Sequence, residues 1–256
     1  MTLTPDLDLG LLGDVDTDEL LELACAADLA TFAEHKLGYT MAPFHYEWCD
    51  LAQTERRLAV VAPREHAKTA TFFENATTWR SVYTPGLWTY GFSQTLDQAK
   101  GLLARVRTAI EAVAPELVDG AEVDRADDLV LANGARITVA GAGKRVRSAH
   151  PDVIIGDDVL DDEGTATEHQ RRKTARWWFG TVANMAHPGT TRPARMWGTT
   201  AMVTMPATVI HLVGTPFHAS DLLMSMRDNS RYHFRRYSAE CAPAERVGGT
   251  WAVEIA

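Results

Sequence analysis

Leu58-Ala59-Val60-Val61-Ala62-Pro63-Arg64-Glu65-His66-Ala67-Lys68-Thr69 decides the reading of this 256-residue chain. Its first five residues form a continuous apolar run, too short for a helix and typical of a parallel strand covered on both faces. From Ala62 the spacing is that of the phosphate-binding loop GxxxxGK[ST], with alanine in both glycine positions. Beyond Thr69, residues Phe72, Phe73, Ala76 and Trp79 recur at helical spacing as far as Val82, so the loop joins a strand to a helix. In that setting the loop Ala62, Pro63, Arg64, Glu65, His66 and Ala67 wraps a triphosphate, its available backbone N–H groups facing the phosphates, while Lys68 reaches the β and γ phosphates and Thr69 holds Mg²⁺. Arg64 is an extra cation that either lies on the γ phosphate or points to solvent, and His66 contributes backbone only. The bland alternative is that Ala67-Lys68-Thr69 merely opens an amphipathic helix.

Outward from this loop, strand and helix alternate. Residues 16 to 38 read as one helix: Asp16 with Glu19 resembles a capping pair, Leu20, Leu23, Ala24, Ala27 and Ala30 share a face, and Gly38 closes the end. A second apolar run spans Leu87 to Phe92, followed by a helix carrying Leu96, Ala99, Leu103, Val106 and Ile110. Asn133-Gly134 suits a type I′ hairpin between Leu129-Val130-Leu131 and Arg136-Ile137 through Val139. Two further buried strands are expected at Val153 to Ile155 and Val209 to Val213, separated by a helix over 168 to 185 with Trp177, Trp178 and Phe179. The expected fold is therefore α/β, a P-loop NTPase of the additional-strand type: a mainly parallel central sheet flanked by helices on both faces, with a small β-hairpin insertion.

Asp152-Val153-Ile154-Ile155-Gly156-Asp157-Asp158 places two carboxylates at the exit of a buried strand, where ligands of open α/β sheets collect. This matches a Walker B pattern, in which Asp157 binds Mg²⁺ and Asp158 polarises the water that attacks the γ phosphate. Aspartate is one methylene shorter than the commoner glutamate, so the nearby acids, Glu163 among them, are alternates. An isolated acidic pair would more simply cap the following helix. A third signal closes the strand at 209 to 213: Gly214-Thr215-Pro216, where the Thr215 hydroxyl can report on the γ phosphate while Gly214 and Pro216 shape a turn that moves, or that merely ends the strand.

Composition narrows the class. Apolar residues are 46% and charged residues 23%, enough to bury a full core. A formal charge of −9 argues against a protein that coats nucleic acid everywhere, because such a surface needs clustered Lys and Arg; any DNA contact is local. Cys25, Cys49 and Cys241 are odd in number and lack a CxxC pair, favouring reduced thiols over disulfides or zinc. No apolar run approaches the roughly 20 residues that span a bilayer, so no membrane partner is expected. Residues 1–15 read as a flexible acidic tail, 16–240 as one domain with an N-terminal helical segment over 16–56, and 241–256 as the start of a linker.

Taken in order and spacing, PREHAKT, PDVIIGDD and GTPFHASDL resemble the large terminase subunit of tailed bacteriophages, over residues 30 to about 240. The resemblance implies Mg²⁺-dependent ATP hydrolysis that drives double-stranded DNA through a portal into a procapsid. Its expected partners are the portal protein, the small terminase subunit and further copies of itself in a ring, with a pentamer expected. It places the chain in the cytoplasm of an infected bacterial host, transiently docked on the procapsid. Phe44 and His45 resemble the adenine-side motif, though both suit core packing equally. The resemblance also implies an arginine acting on a neighbouring subunit's site, for which Arg147 is the first choice and Arg145 the alternate; the same loop would otherwise touch DNA phosphate. Members normally continue into a nuclease domain, which the linker at 241–256 would lead to, and no nuclease activity is expected of these residues. The rival readings are a helicase-like nucleic-acid-dependent ATPase, or a non-hydrolysing DNA-binding or assembly module.

Overall fold

The computed structural model describes residues 16–146 and 148–238 and the backbone of 245–247 and 250–252. The expected acidic tail, Arg147 and Cys241 lie outside these residues. The single helix expected from 16 to 38 is two: α1 (Thr17–Ala27) and α2 (Leu29–His35). Asp28 breaks them apart. Its backbone is extended, and its carboxylate accepts the Thr31 N–H at 2.7 Å, so a local cap overrides an apolar period that runs through the break. Gly38 ends the segment with φ of +72°, as its position predicts.

Helix α3 (Pro43–Thr54) then leads into β1 (Arg57–Val61). A π-helical segment, Thr69–Asn75, runs directly into α4 (Ala76–Tyr83), and β2 (Trp88–Ser93) and α5 (Leu96–Val113) follow. After the short α6 (Pro115–Asp119) come β3 (Val123–Arg125), β4 (Asp128–Val130), β5 (Arg136–Gly141) and β6 (Val153–Asp157). Next are α7 (Asp162–Ala166), α8 (Glu168–Trp177), β7 (Thr190–Met196), β8 (Thr199–Met205), β9 (Val209–Gly214), α9 (Leu222–Ser225) and β10 (His233–Arg236). Near the chain end β11 (Glu245–Val247) pairs antiparallel with β12 (Thr250–Ala252). No helix among the described residues is long and apolar enough to cross a membrane.

The main sheet has the order β10-β1-β9-β6-β2-β5-β4-β3, parallel from β10 to β5 and antiparallel at β4 and β3. One strand, β9, therefore separates the loop-bearing β1 from the acid-bearing β6. Both faces are covered. On one, Leu103, Val106 and Ile110 of α5 join Phe73 against Ile137, Val139 and Ile155; on the other, Trp178, Val182 and Leu222 pack on Tyr90, Phe92, Ile154 and Leu212. Gly91 has a packing reason, since a Cβ there would lie 2.5 Å from the Phe73 ring. Helices α1 to α3 form a third cluster in which Phe32, Trp48 and Cys49 cover Leu58 and Val60.

Two expectations about hairpins change. The β4–β5 hairpin belongs to the main sheet, because β5 also pairs parallel with β2, and a separate hairpin outside that sheet is β7–β8. The turn at Asn133-Gly134 is not type I′. Gly134 alone has positive φ (77°), its N–H donates to Leu131 O at 2.8 Å, and Leu131 N–H donates to Ala135 O, which is a type I turn with a glycine bulge. The type I′ geometry falls instead on Trp197-Gly198 (φ 53° and 76°), which joins β7 to β8.

Candidate active site

Three strand ends meet at one edge of the sheet. Val61 of β1 lies opposite Gly214 of β9, and Val213 lies opposite Asp157 of β6. Residues arriving from any of the three are thus within reach of the other two, where open parallel sheets bind ligands.

The loop after β1 shows how each glycine position of the motif fares with alanine. Ala62 is buried and still donates to Gly214 O at 3.3 Å, so its backbone is an ordinary strand continuation in which a methyl costs nothing. Ala67 differs. It is held at φ 58°, and Glu65 at φ 64°, in the left-handed region that disfavours a Cβ by about 1–2 kcal/mol per residue. The N–H groups of Glu65, His66 and Ala67 donate to no protein acceptor among the described residues. Strained backbone with free amides at a helix start is the arrangement an anion would complete.

Lys68 follows, buried, with Nζ donating to Pro63 O at 2.5 Å and to Thr215 Oγ1 at 3.3 Å. Burial lowers its pKa, opposed by the charges of Asp158 and Asp157. Thr69 Oγ1 donates to Asp157 Oδ2 at 2.8 Å, which joins the loop to the acidic strand. The other Asp157 oxygen, Oδ1, is buried without a partner. Burial first, then the neighbouring Asp158, pushes this carboxyl up to about 7. An orphaned acid oxygen beside a threonine hydroxyl fits Mg²⁺, which takes few protein ligands and completes its shell from water and phosphate. No group of three or more His, Cys, Asp or Glu among the described residues forms a protein-only metal cage.

Asp158 is exposed and sits at φ 43°, its N–H donating to Val213 O and its Oδ1 accepting the Thr215 N–H at 3.1 Å. Gly214 is required by this contact, since a Cβ there would lie 2.9 Å from Asp158 Oδ1. The Thr215 hydroxyl accepts from Lys68 and donates to Ala62 O at 3.3 Å, so Thr215 touches the loop, the lysine and the second acid together. Pro216 follows it, partly buried, and Asp221 pins the turn by accepting the N–H groups of Phe217 and His218.

These residues line a cleft of about 700 Å³, with Arg64, Lys68, Thr69, Asp157, Asp158 and Thr215 on its walls. Arg64 is exposed and lies 5.7 Å from the Phe217 ring. Phe44, His45, Glu163 and Arg145 do not line the cleft. Phe44 is partly buried beside Trp48, its ring 6.0 Å from that of His66. His45 accepts the Ala42 N–H at Nδ1, which leaves Nε2 to donate to His66 O at 3.2 Å; its visible work is to brace the loop. Glu163 is exposed in the first turn of α7, and Arg145 is exposed in the segment after β5.

The far wall holds residues that sequence reasoning missed. Glu74, on the π-helical segment, pairs with Arg105 of α5 at 2.6 Å, and Gln94 at the end of β2 donates to Asp161 at 2.6 Å. Glu74 is concealed in sequence because a π-helix shifts the helical register by which a residue's direction is read.

Together the strand order and the loop define a P-loop NTPase fold of the additional-strand type. No family model matches the chain, and no curated protein matches it. Among solved structures, the fold is similar to an arginine-to-alanine mutant of the Thermus phage P74-26 large terminase ATPase domain, at 15% identity and a TM-score of 0.50, over 72% of this chain and 68% of that one. The same ATPase domain in a second structure aligns over the same shares at 15% identity and a TM-score of 0.47. The likeness is one of fold.

Proposed function

We propose that this chain is a terminase-like ATPase that hydrolyses ATP with Mg²⁺ and uses the energy to move double-stranded viral DNA into a procapsid. One observation carries the hydrolytic part: the Thr69–Asp157 hydrogen bond that closes the phosphate loop onto the acidic strand beside the buried Lys68. Lys68 and Arg64 neutralise the β and γ phosphates, and the free loop amides hold their oxygens. Thr69 and Asp157 hold the metal, whose charge offsets that developing on the transferred phosphoryl group. Asp158 orients the attacking water, and Glu163 is the alternate acid. Thr215, flanked by Gly214 and Pro216, links Lys68 to Asp158 and so senses whether the γ phosphate is present.

Arg147, or Arg145 in its place, completes the site of a neighbouring copy in a ring, expected to be a pentamer on the portal protein. Phe44 and His45 act on the adenine side from outside the cleft, His45 by fixing the loop at His66. The small terminase subunit and the DNA are the remaining partners, and the reaction takes place in the infected cell's cytoplasm at the procapsid.

Phosphate release by the purified chain tests the reading. It is expected to require Mg²⁺, to vanish in Lys68→Ala, and to rise faster than linearly with protein concentration in the wild type but not in Arg147→Ala. Absence of both turnover and nucleotide binding at high protein concentration would leave the non-hydrolysing module as the better account.

A further inference from the structure

Helix α8 carries the largest net positive charge of any element among the described residues. Four of its ten residues are Arg or Lys against one acid, in a chain whose net charge is −9. The charges are sorted by face. Gln170, Arg171, Thr174, Ala175 and Trp177 are partly buried, and Ala175 and Trp177 pack on the core beneath; His169, Arg172, Lys173 and Arg176 are all exposed on the other side. These four stand at i, i+3 and i+4 spacings, so each lies beside another along one ridge.

Such a ridge works against the helix that carries it. Like charges at these spacings destabilise a helix by about 0.2–0.5 kcal/mol per pair. Glu168 offsets only Arg172, through an exposed pair at 2.6 Å. Arg171 faces the other way and donates to Thr165 O at 2.6 Å. Near the end of the helix the Trp177 indole N–H donates to the backbone carbonyl of the exposed Lys144 at 3.0 Å, which ties the segment after β5 to α8. The ridge is also joined to the cleft: α7 runs into α8, and the α7 cap Asp161 accepts the side chain of Gln94, which lines the cleft.

Resting on the ATPase reading above, we infer that the outer face of α8 is a contact surface for the phosphate backbone of double-stranded DNA. Charge complementarity selects a polyanion, and the packing of the apolar side onto the core leaves no free apolar face to enter a lipid surface. Separate cations on a rigid ridge meet phosphates without reading bases, so binding is independent of sequence and steeply salt-dependent.

The test is binding of the whole chain to a short labelled DNA duplex across a salt series, comparing wild type with the triple variant Arg172→Gln, Lys173→Gln, Arg176→Gln. Each phosphate contact contributes about 0.9 to the slope of log K against log salt, so the variant is expected to lower that slope by about 2–3. It should bind roughly tenfold or more weakly at low salt while its DNA-free ATP turnover stays at the wild-type level. Neutralising the exposed Arg125 of β3 and Arg231 in the turn before β10 should leave the slope unchanged. An unchanged slope in the triple variant overturns the inference, as does tighter binding of single-stranded RNA than of the duplex. If the slope falls but the wild type turns over no ATP, the surface stands and the ATPase reading fails; turnover with no duplex binding overturns the surface and leaves the ATPase reading in place.

Discussion

Strand β6 has a buried aspartate at each end, and the two live in opposite circumstances. Asp152, just before the strand, is surrounded by donors: the Trp88 N–H at 2.7 Å, His187 Nε2 at 3.0 Å, and both terminal nitrogens of Arg192 at 2.9 and 2.5 Å. Asp157, at the strand's end, has Thr69 on one oxygen and nothing on the other. The first fastens β7 and the segment before it to the sheet; the second carries an unmet electrostatic demand. Their difference separates a carboxylate used for holding the fold from one kept for a ligand, although the sequence presents both as an acid beside a run of Val and Ile.

Turnover should part the two acids most widely. Asp157→Asn, like Lys68→Ala, is expected to cut Mg²⁺-dependent phosphate release by about a hundred- to a thousandfold, the scale of removing one preorganised electrostatic contact. Asp152→Ala should act on stability instead, because it strands a partly buried guanidinium and an imidazole. A loss of about 3–5 kcal/mol is expected, read as a fall in the urea midpoint. Equal loss of turnover per folded molecule in both variants would erase the distinction.

The third test uses pH. Asp157 titrates near 7 in the folded protein against an ordinary value of 3.8, so between these limits the folded state holds more protons than the unfolded one. The metal-free protein should therefore lose stability as pH rises from about 4 to 7. Asp157→Asn should remove that slope and melt roughly 10 °C higher than wild type at pH 8 without metal. Added Mg²⁺ and nucleotide should reverse the order. The smallest effect is expected at Ala67, where glycine relieves a left-handed backbone: Ala67→Gly should stabilise by about 1 kcal/mol, seen in thermal unfolding, with Lys68 undisturbed. If Ala67→Gly destabilises, the loop is not strained as described.

Much of the frame was legible because parallel strands buried on both faces must be apolar throughout, which made β1, β2, β6 and β9 stand out. What stayed hidden has particular causes. Strand β10 reads His-Phe-Arg-Arg, since an edge strand needs little apolar character. The β7–β8 hairpin is half exposed and turns at Trp-Gly in place of the usual Asn-Gly. At the site, spacing alone brought Lys68, Thr69, Asp157 and Thr215 together. It could not foresee that His45 holds the loop from outside, or that Glu74 and Arg105 form the opposite wall, because those contacts depend on helix packing between distant segments.

The placement of β9 has a consequence for local opening. Its last residues are hydrogen-bonded on one side to the strand that feeds the phosphate loop and on the other to the strand that ends in the acids. A ligand that ties those neighbours together clamps the intervening ladder from both flanks. The amide hydrogens of His211 to Val213 should therefore exchange with deuterium more slowly when nucleotide is bound, although no side chain of that stretch touches it.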